Sequence, residues 1–248
     1  MAEPSAAYAS LRMERYFAER KYNVIILAGG LGTRMGNSSD YIPKALVKIG
    51  LLRAIDHIIT RYELIAKRVI IGVCAHSDLL RSYITNYYSH LDISFSIEST
   101  LHSTSRSFAY CLDSADSRYP TIVQFCDLIM RSPMDLVEDS LYIVDSSTTG
   151  VIGSFRHSIL SGTIIKNVDP VNVSVNKNGL AGFFSFGSTP NLKAISYLSW
   201  DSHSDFTDDI VAPYSNSNTM KHVKIAEIYE FGTSTDLEAV RETFKDFA

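Results

Sequence analysis

The apolar positions change rhythm regularly along the first half of the chain. Asn23–Ala28 (NVIILA) is a continuous apolar run that ends in glycines, the pattern of a strand buried on both faces of a parallel sheet. Leu51–Ile65 switches to helical spacing. Arg68–Cys74 (RVIIGVC) is a second strand, and Ser77 then caps a helix that runs through Tyr88. Ile93–Ile97, Ser103–Ser114 and Pro120–Phe125 continue the alternation as strand, helix and strand, the last ending at Cys126–Asp127. Strands alternating with helices in this way predict an α/β fold with a mostly parallel central sheet.

The pattern loosens after Asp145. Gly150–Phe155, Gly162–Val168, Val171–Val175 and Ala181–Phe186 are short β-rich segments, separated by polar turns such as Asn178–Gly179. They predict antiparallel strands added to one edge, or a small lobe over the sheet. Asn191–Ser199 and Thr207–Tyr214 have helical spacing, and Val223–Ile228 reads as a late strand. Thr235–Phe247 reads as a closing helix, with Thr235 and Glu238 at capping-box spacing. The expected organisation is a helical extension over 1–22 and a single domain over 23–248, its halves meeting near 145. The extension begins near Ser5, with Ala7, Leu11 and Phe17 as a weak apolar face. Packing on the domain is its expected role, and self-association into a homo-oligomer stays open.

Composition narrows the function classes. The chain has 248 residues, 46% of them hydrophobic, enough for one large core. A net charge of −4 gives no broad basic surface, so nucleic acid is not an expected partner. Cys74, Cys111 and Cys126 form no CxxC pair, which argues against a disulfide framework or structural zinc and for a reducing, cytoplasmic setting. No apolar run is long enough to cross a membrane, and Met1–Lys21 carries Glu3, Arg12, Glu14, Arg15, Glu19 and Arg20 in place of a signal-peptide core. His76, His102 and His203 lack metal-ligand spacing.

The sharpest signal follows the first strand: LAGGLGTRMG over Leu27–Gly36, then Pro43-Lys44. Open α/β sheets bind ligands at the carboxyl ends of their strands. Glycines let backbone approach a triphosphate closely, with N–H groups aimed at its oxygens. Arg34 adds a forked permanent charge and Lys44 a second cation. A Walker A loop is excluded, because no Lys-Ser/Thr follows Gly36. A dinucleotide fingerprint is disfavoured, because the spacing is Gly30-x-Gly32-x-x-x-Gly36 and the second strand runs into Ala75-His76 rather than an acidic residue.

LAGGLGTRMG…PK resembles the signature of the sugar-phosphate nucleotidyltransferases, and the order of elements can be followed from Asn23 to about Glu242. The resemblance implies a Rossmann-like three-layer sandwich of the nucleotide-diphospho-sugar transferase type, with a small β-rich acceptor lobe. It implies that the backbone of Leu27, Ala28, Gly29, Gly30 and Gly32, with Thr33, holds the nucleotide. Arg34, Lys44 and Asp127 become the catalytic residues. Asp127, in Phe125-Cys126-Asp127, and Glu230, in Ile228-Tyr-Glu-Phe-Gly-Thr233, take the metal positions. Magnesium suits such a pair, since it prefers one or two carboxylates plus phosphate oxygens. Glu230 replaces the family's aspartate, and manganese is the alternative ion. Ser103 and Thr104 replace a Gly-Thr pair that helps read the base, as in the choline-phosphate cytidylyltransferase-like branch; a plain helix cap is the other reading. Lys177, Ala181, Gly182 and Asp208 map to acceptor contacts, Asn176-Lys177 standing for the family's Glu-Lys and Asp209 adjoining Asp208. The implied partners are a nucleoside triphosphate and a small phosphorylated metabolite, in nucleotide-sugar or cell-surface polysaccharide synthesis. A non-catalytic nucleotide-binding module and a molybdopterin-type guanylyltransferase remain the alternatives. Neither the base nor the acceptor is legible at this point.

Overall fold

In the computed structural model, which describes residues 22–30, 42–74, 77–98, 103–131, 136–145, 151–152, 157–160, 163–166, 178–198 and 205–245, the first apolar run is β1 (Tyr22–Leu27), buried throughout. Its alternate side chains feed two cores, Val24 and Ile26 on one side and Ile25 and Leu27 on the other. That demand for cover on both faces dictates the layers. After a 3-10 turn at Lys44–Leu46 come the short hairpin strands β2 (Lys48–Ile49) and β3 (Leu52–Arg53), then α1 (Ala54–Tyr62), β4 (Ala66–Val73), α2 (Ser77–Tyr87), β5 (Ile93–Ile97), α3 (Thr104–Asp113) and β6 (Thr121–Phe125). The chain continues through β7 (Leu128–Met130), β8 (Ser140–Asp145), β9 (Val151–Ile152), β10 (His157–Leu160), β11 (Thr163–Lys166), the long β12 (Asn178–Phe186) and α4 (Thr189–Leu198). A π-helical turn over Thr207–Val211 leads into α5 (Ala212–Ser217), followed by β13 (Lys221–Ile225), β14 (Ile228–Glu230) and α6 (Ser234–Phe244).

β1 lies between β4 and β6, both parallel to it, and β5 extends the sheet beyond β4. On the other side β12 runs antiparallel to β6, β8 antiparallel to β12, and β13 parallel to β8. The β10–β11 hairpin joins the first half of β12. Helices α1 and α2 cover one face through Ile55, Ile58, Ile59, Tyr62, Leu80 and Ile84. Helices α3, α4 and α5 cover the other through Phe108, Leu112, Leu192 and Tyr214. A third, smaller core gathers α6 (Leu237, Val240, Phe244) against Ile49, Ile129, Tyr229 and Phe231. It underlies the small sheet in which β14 pairs antiparallel with β7 and parallel with β9. The three-layer α/β/α architecture is the expected one.

Several boundaries differ from the sequence reading. The first helix starts at Ala54 rather than Leu51, because Gly50, at φ 64°, turns the β2–β3 hairpin. Asp56 then anchors the helix start by accepting from the Arg53 N–H at 2.8 Å. Asn178–Gly179 is no turn: both residues lie inside β12, paired with β8. Val223–Ile228 is not one strand, since β13 ends at Ile225 and β14 begins at Ile228 in a different sheet. The last helix is capped two residues earlier than expected, where the Thr233 hydroxyl accepts from the Asp236 N–H at 3.1 Å. β7, β8 and β10 were not anticipated. The expected N-terminal helix and Val171–Val175 lie outside the described residues.

Candidate active site

The candidate site is built where β1 and β6 end. The Cys126 N–H donates to the Leu27 carbonyl at 3.1 Å, and the Ala28 N–H donates to Gly72 O at 2.8 Å. The chain leaving β1 is therefore clamped between its two neighbours before Gly29 and Gly30 emerge at the rim. A Cβ on Gly29 would make ordinary contact with Cys74 at 3.5 Å, and one on Gly30 would meet nothing within 4 Å. Internal packing requires glycine at neither position; what glycine leaves there is bare backbone.

Asp127 occupies the tight turn between β6 and β7. Three bonds fix that turn. One is the Cys126–Leu27 bond; in the second, the Phe231 N–H donates to Asp127 O at 3.0 Å. In the third, the Gln124 amide donates to Leu128 O at 2.7 Å. Gln124 is 1% exposed and is itself held by the Tyr62 hydroxyl. Gln124 was missed by the sequence reading, although a lone amide inside the apolar run TIVQF was the signal. Lys44 opens the 3-10 turn that follows Pro43 and reaches the Asp127 carboxylate, Nζ to Oδ2 at 2.6 Å. The lysine is 9% exposed and the aspartate 21%. Its ammonium also lies 5.6 Å from the centre of the Phe231 ring. At this depth the pair is a short charge-assisted bond, stronger than its surface counterpart. Beside it, burial and the Asp127 charge push the Cys126 thiol up to about 12.

Glu230 ends β14 opposite Leu128, one rung from Asp127. The ladder thus brings the two candidate metal residues to adjacent rungs. Among the described residues no cluster of three or more His, Cys, Asp or Glu side chains could hold an ion. A two-carboxylate site completed by ligand oxygens is still the donor set that magnesium takes. The register of β12, with Phe183 opposite Gln124, carries Ala181 and Gly182 to the same end of β6. Gly182 has φ 62°, and a Cβ there would fall 2.5 Å from Leu128 Cδ1 and 3.2 Å from Phe125 Cδ2.

Other candidates sit elsewhere. Ser103 caps α3, its hydroxyl accepting from the Arg106 N–H at 3.3 Å, and Thr104 is the first helical residue. Asp208 is exposed on the π-helical turn. Its neighbour Asp209 is buried and accepts from the Ser105 hydroxyl at 2.6 Å, tying that turn to α3. Gly32, Thr33, Arg34, His76, His102, Asn176, Lys177 and His203 lie outside the described residues.

Residues 24–138 match the MobA-like NTP transferase domain. That stretch is a little under half of the chain. Arg34, Lys44, Ser103, Thr104 and Asp127 fall inside it; Ala181, Gly182 and Glu230 follow it. A 73-residue stretch is 34% identical to the glucose-1-phosphate cytidylyltransferases of Salmonella typhimurium and Salmonella typhi, covering 29% of this chain. It spans 28% of the length of those relatives. The fold is shared over a much longer span. The CTP:phosphocholine cytidylyltransferase of Streptococcus pneumoniae superposes with a TM-score of 0.69 at 17% identity, over 91% of this chain and 100% of that one. The inositol-1-phosphate CTP transferase of T. maritima gives 0.69 at 12% identity, over 92% and 98%. A UDP-glucose pyrophosphorylase from Acinetobacter gives 0.70 at 11% identity, over 90% and 93%. The chain thus shares the Rossmann-like α/β fold of these structures. Among the described residues no helix is long and apolar enough to cross a membrane.

Proposed function

We propose that the chain transfers the nucleoside monophosphate of a nucleoside triphosphate to a small phosphorylated acceptor and releases pyrophosphate. The observation that carries this reading is the Lys44–Asp127 pair, joined at 2.6 Å where β6 ends, at the same end of the sheet as the bare backbone of Gly29 and Gly30 that leaves β1. Bare backbone, a cation and a carboxylate in one crevice suit phosphoryl chemistry, where alignment and charge neutralisation do most of the work.

The acceptor phosphate is already an anion near neutral pH, so no strong base is needed. Its oxygen attacks the α-phosphorus in line while the bond to pyrophosphate breaks. Arg34 neutralises the leaving pyrophosphate. Lys44 exchanges its carboxylate partner for a phosphate oxygen. Asp127 and Glu230 would hold magnesium, which when bound neutralises phosphate charge. Ala181 and Gly182 offer backbone to the acceptor beside the same turn, with Lys177 and Asp208 as further acceptor contacts. The names of the relatives point to a pyrimidine nucleotide, cytidine in some and uridine in others, and to a sugar phosphate, phosphocholine or similarly small acceptor. Work in the cytoplasm on a nucleotide-sugar or cell-surface polysaccharide precursor fits that chemistry.

The test is pyrophosphate release, with magnesium, from five triphosphates (ATP, CTP, GTP, UTP and dTTP) against a panel of sugar phosphates and phosphocholine. Release confined to particular pairs is the expected result. Silence throughout, with no triphosphate raising the melting temperature, overturns the reading.

A further inference from the structure

Gln124 stands at a core position of β6. Its neighbours on the same face, Ile122 and Cys126, belong to the apolar core under α1. An apolar side chain would pack there, whereas a buried amide is destabilising unless its polar atoms are bonded. Gln124 is bonded at both ends. The Tyr62 hydroxyl donates to its Oε1, so the amide nitrogen faces the other way and donates to Leu128 O at 2.7 Å. Burial raises the Tyr62 hydroxyl well above its ordinary value, so it stays a donor near neutral pH.

The backbone of β7 explains what that amide does. Among the described residues β7 lies at the edge of its small sheet, beside β14. Asp127 O accepts from the Phe231 N–H, and the Arg131 N–H donates to Glu227 O at 3.3 Å. Alternate residues of an antiparallel strand aim their backbone groups at opposite edges, so Leu128 and Met130 turn their carbonyls away from β14. Gln124 takes the first carbonyl, and an Arg61 guanidinium N–H takes the second. Two side chains thus occupy the edge that a further strand would take. Both bonds are governed by the last turn of α1, which carries Arg61 and Tyr62. The other end of α1 holds the segment after Lys44: the Ala54 N–H donates to Val47 O at 2.9 Å, and the Arg53 guanidinium donates to Leu46 O at 3.3 Å. α1 is therefore a strut between the turn that carries Lys44 and the turn that carries Asp127.

We propose that Gln124 is a positioning residue for nucleotidyl transfer: oriented by Tyr62, it holds Leu128 O and so fixes where the Asp127 carboxylate stands against Lys44. The inference rests on the nucleotidyltransferase reading. Gln124 touches no substrate in this role. It acts through Asp127, and its loss should be felt in turnover more than in binding.

The test uses the full-length chain and the substrate pair that releases pyrophosphate most readily. Gln124→Met keeps the length of the side chain and removes both bonds; Tyr62→Phe removes only the bond that orients the amide. Kinetics well below the melting temperature should show kcat lowered roughly 10–100-fold by Gln124→Met, the usual range for losing a partner that orients a reactive-site group, with the KM for triphosphate little changed. Tyr62→Phe should lower kcat by less. Each variant is then combined with Asp127→Asn. Once the carboxylate is gone, either change should cost almost nothing further, whereas a general loosening of the fold would lower kcat by the same factor in both backgrounds. Wild-type kcat in a folded Gln124→Met, or an equal factor in both backgrounds, overturns the positioning role alone. If Gln124→Met does not fold, Tyr62→Phe carries the same comparison. If the wild type releases pyrophosphate from no pair, the nucleotidyltransferase reading falls and this inference with it.

Discussion

Lys44 and Asp127 each bury most of a charge, so neither can be removed without leaving the other exposed to a poorly solvated site. Asp127→Asn keeps the shape and loses the charge. It should stay folded but melt below the wild type, because the Lys44 ammonium loses its counter-charge, while pyrophosphate release falls about 10²–10³-fold, typical for one lost charge-stabilising contact. Normal turnover would remove Asp127 from the mechanism. The thiols give a second prediction. Burial holds both Cys111 and Cys126 up to about 12, so neither supplies thiolate near neutrality, whereas Cys74 is half-buried at the rim. Iodoacetamide at pH 8 should label Cys74 first, read by mass spectrometry, and label the other two only on unfolding. The same shifts set a sign for stability. The unfolded chain releases these protons near 9 and the folded chain near 12, so their contribution is intact below 9 and lost as pH rises toward 12. Lys44 and Asp127 were legible in the sequence because a glycine-rich loop and a strand end flag them. Gln124 was not, because its role depends on a carbonyl four residues on and a tyrosine from α1.

At the scale of elements, β12 is the strand whose local chemistry is most constrained. Gly182 combines a left-handed φ of 62° with an approach that would put a Cβ 2.5 Å from Leu128. Gly182→Ala should lower the melting temperature by an amount equivalent to more than about 1 kcal/mol, since both backbone strain and overpacking oppose it. Gly30→Ala, with open space above it, should leave the melt unchanged. Equal melts for the two variants would refute this account of Gly182. The alternating first half was read correctly from sequence because β1, β4 and β6 are buried apolar runs. The second half was not. Asn178–Gly179 has turn chemistry yet is held in β12 by pairing with β8. Such cross-strand pairing is invisible to a window of neighbouring residues. Thr233 took the cap expected at Thr235, a shift within the usual uncertainty of helix ends.

Across the whole molecule, one long antiparallel strand joins the two halves. β12 pairs with β6 of the first half and lies against β8, so neither half owns a complete sheet. A fragment spanning 1–145 should therefore show no cooperative thermal transition, and calorimetry of the fragment would settle it; a sharp transition would make the halves independent domains. The architecture as a class was legible from the rhythm of strands and helices, but the order of the later strands was not. That order also has a timing consequence on the ribosome. β6 is synthesised well before β12, and elongation proceeds at roughly 5–20 residues per second. For some seconds the nascent chain carries an unpaired edge on its most apolar sheet. The waiting interval, more than the finished protein, is when this chain most needs a chaperone.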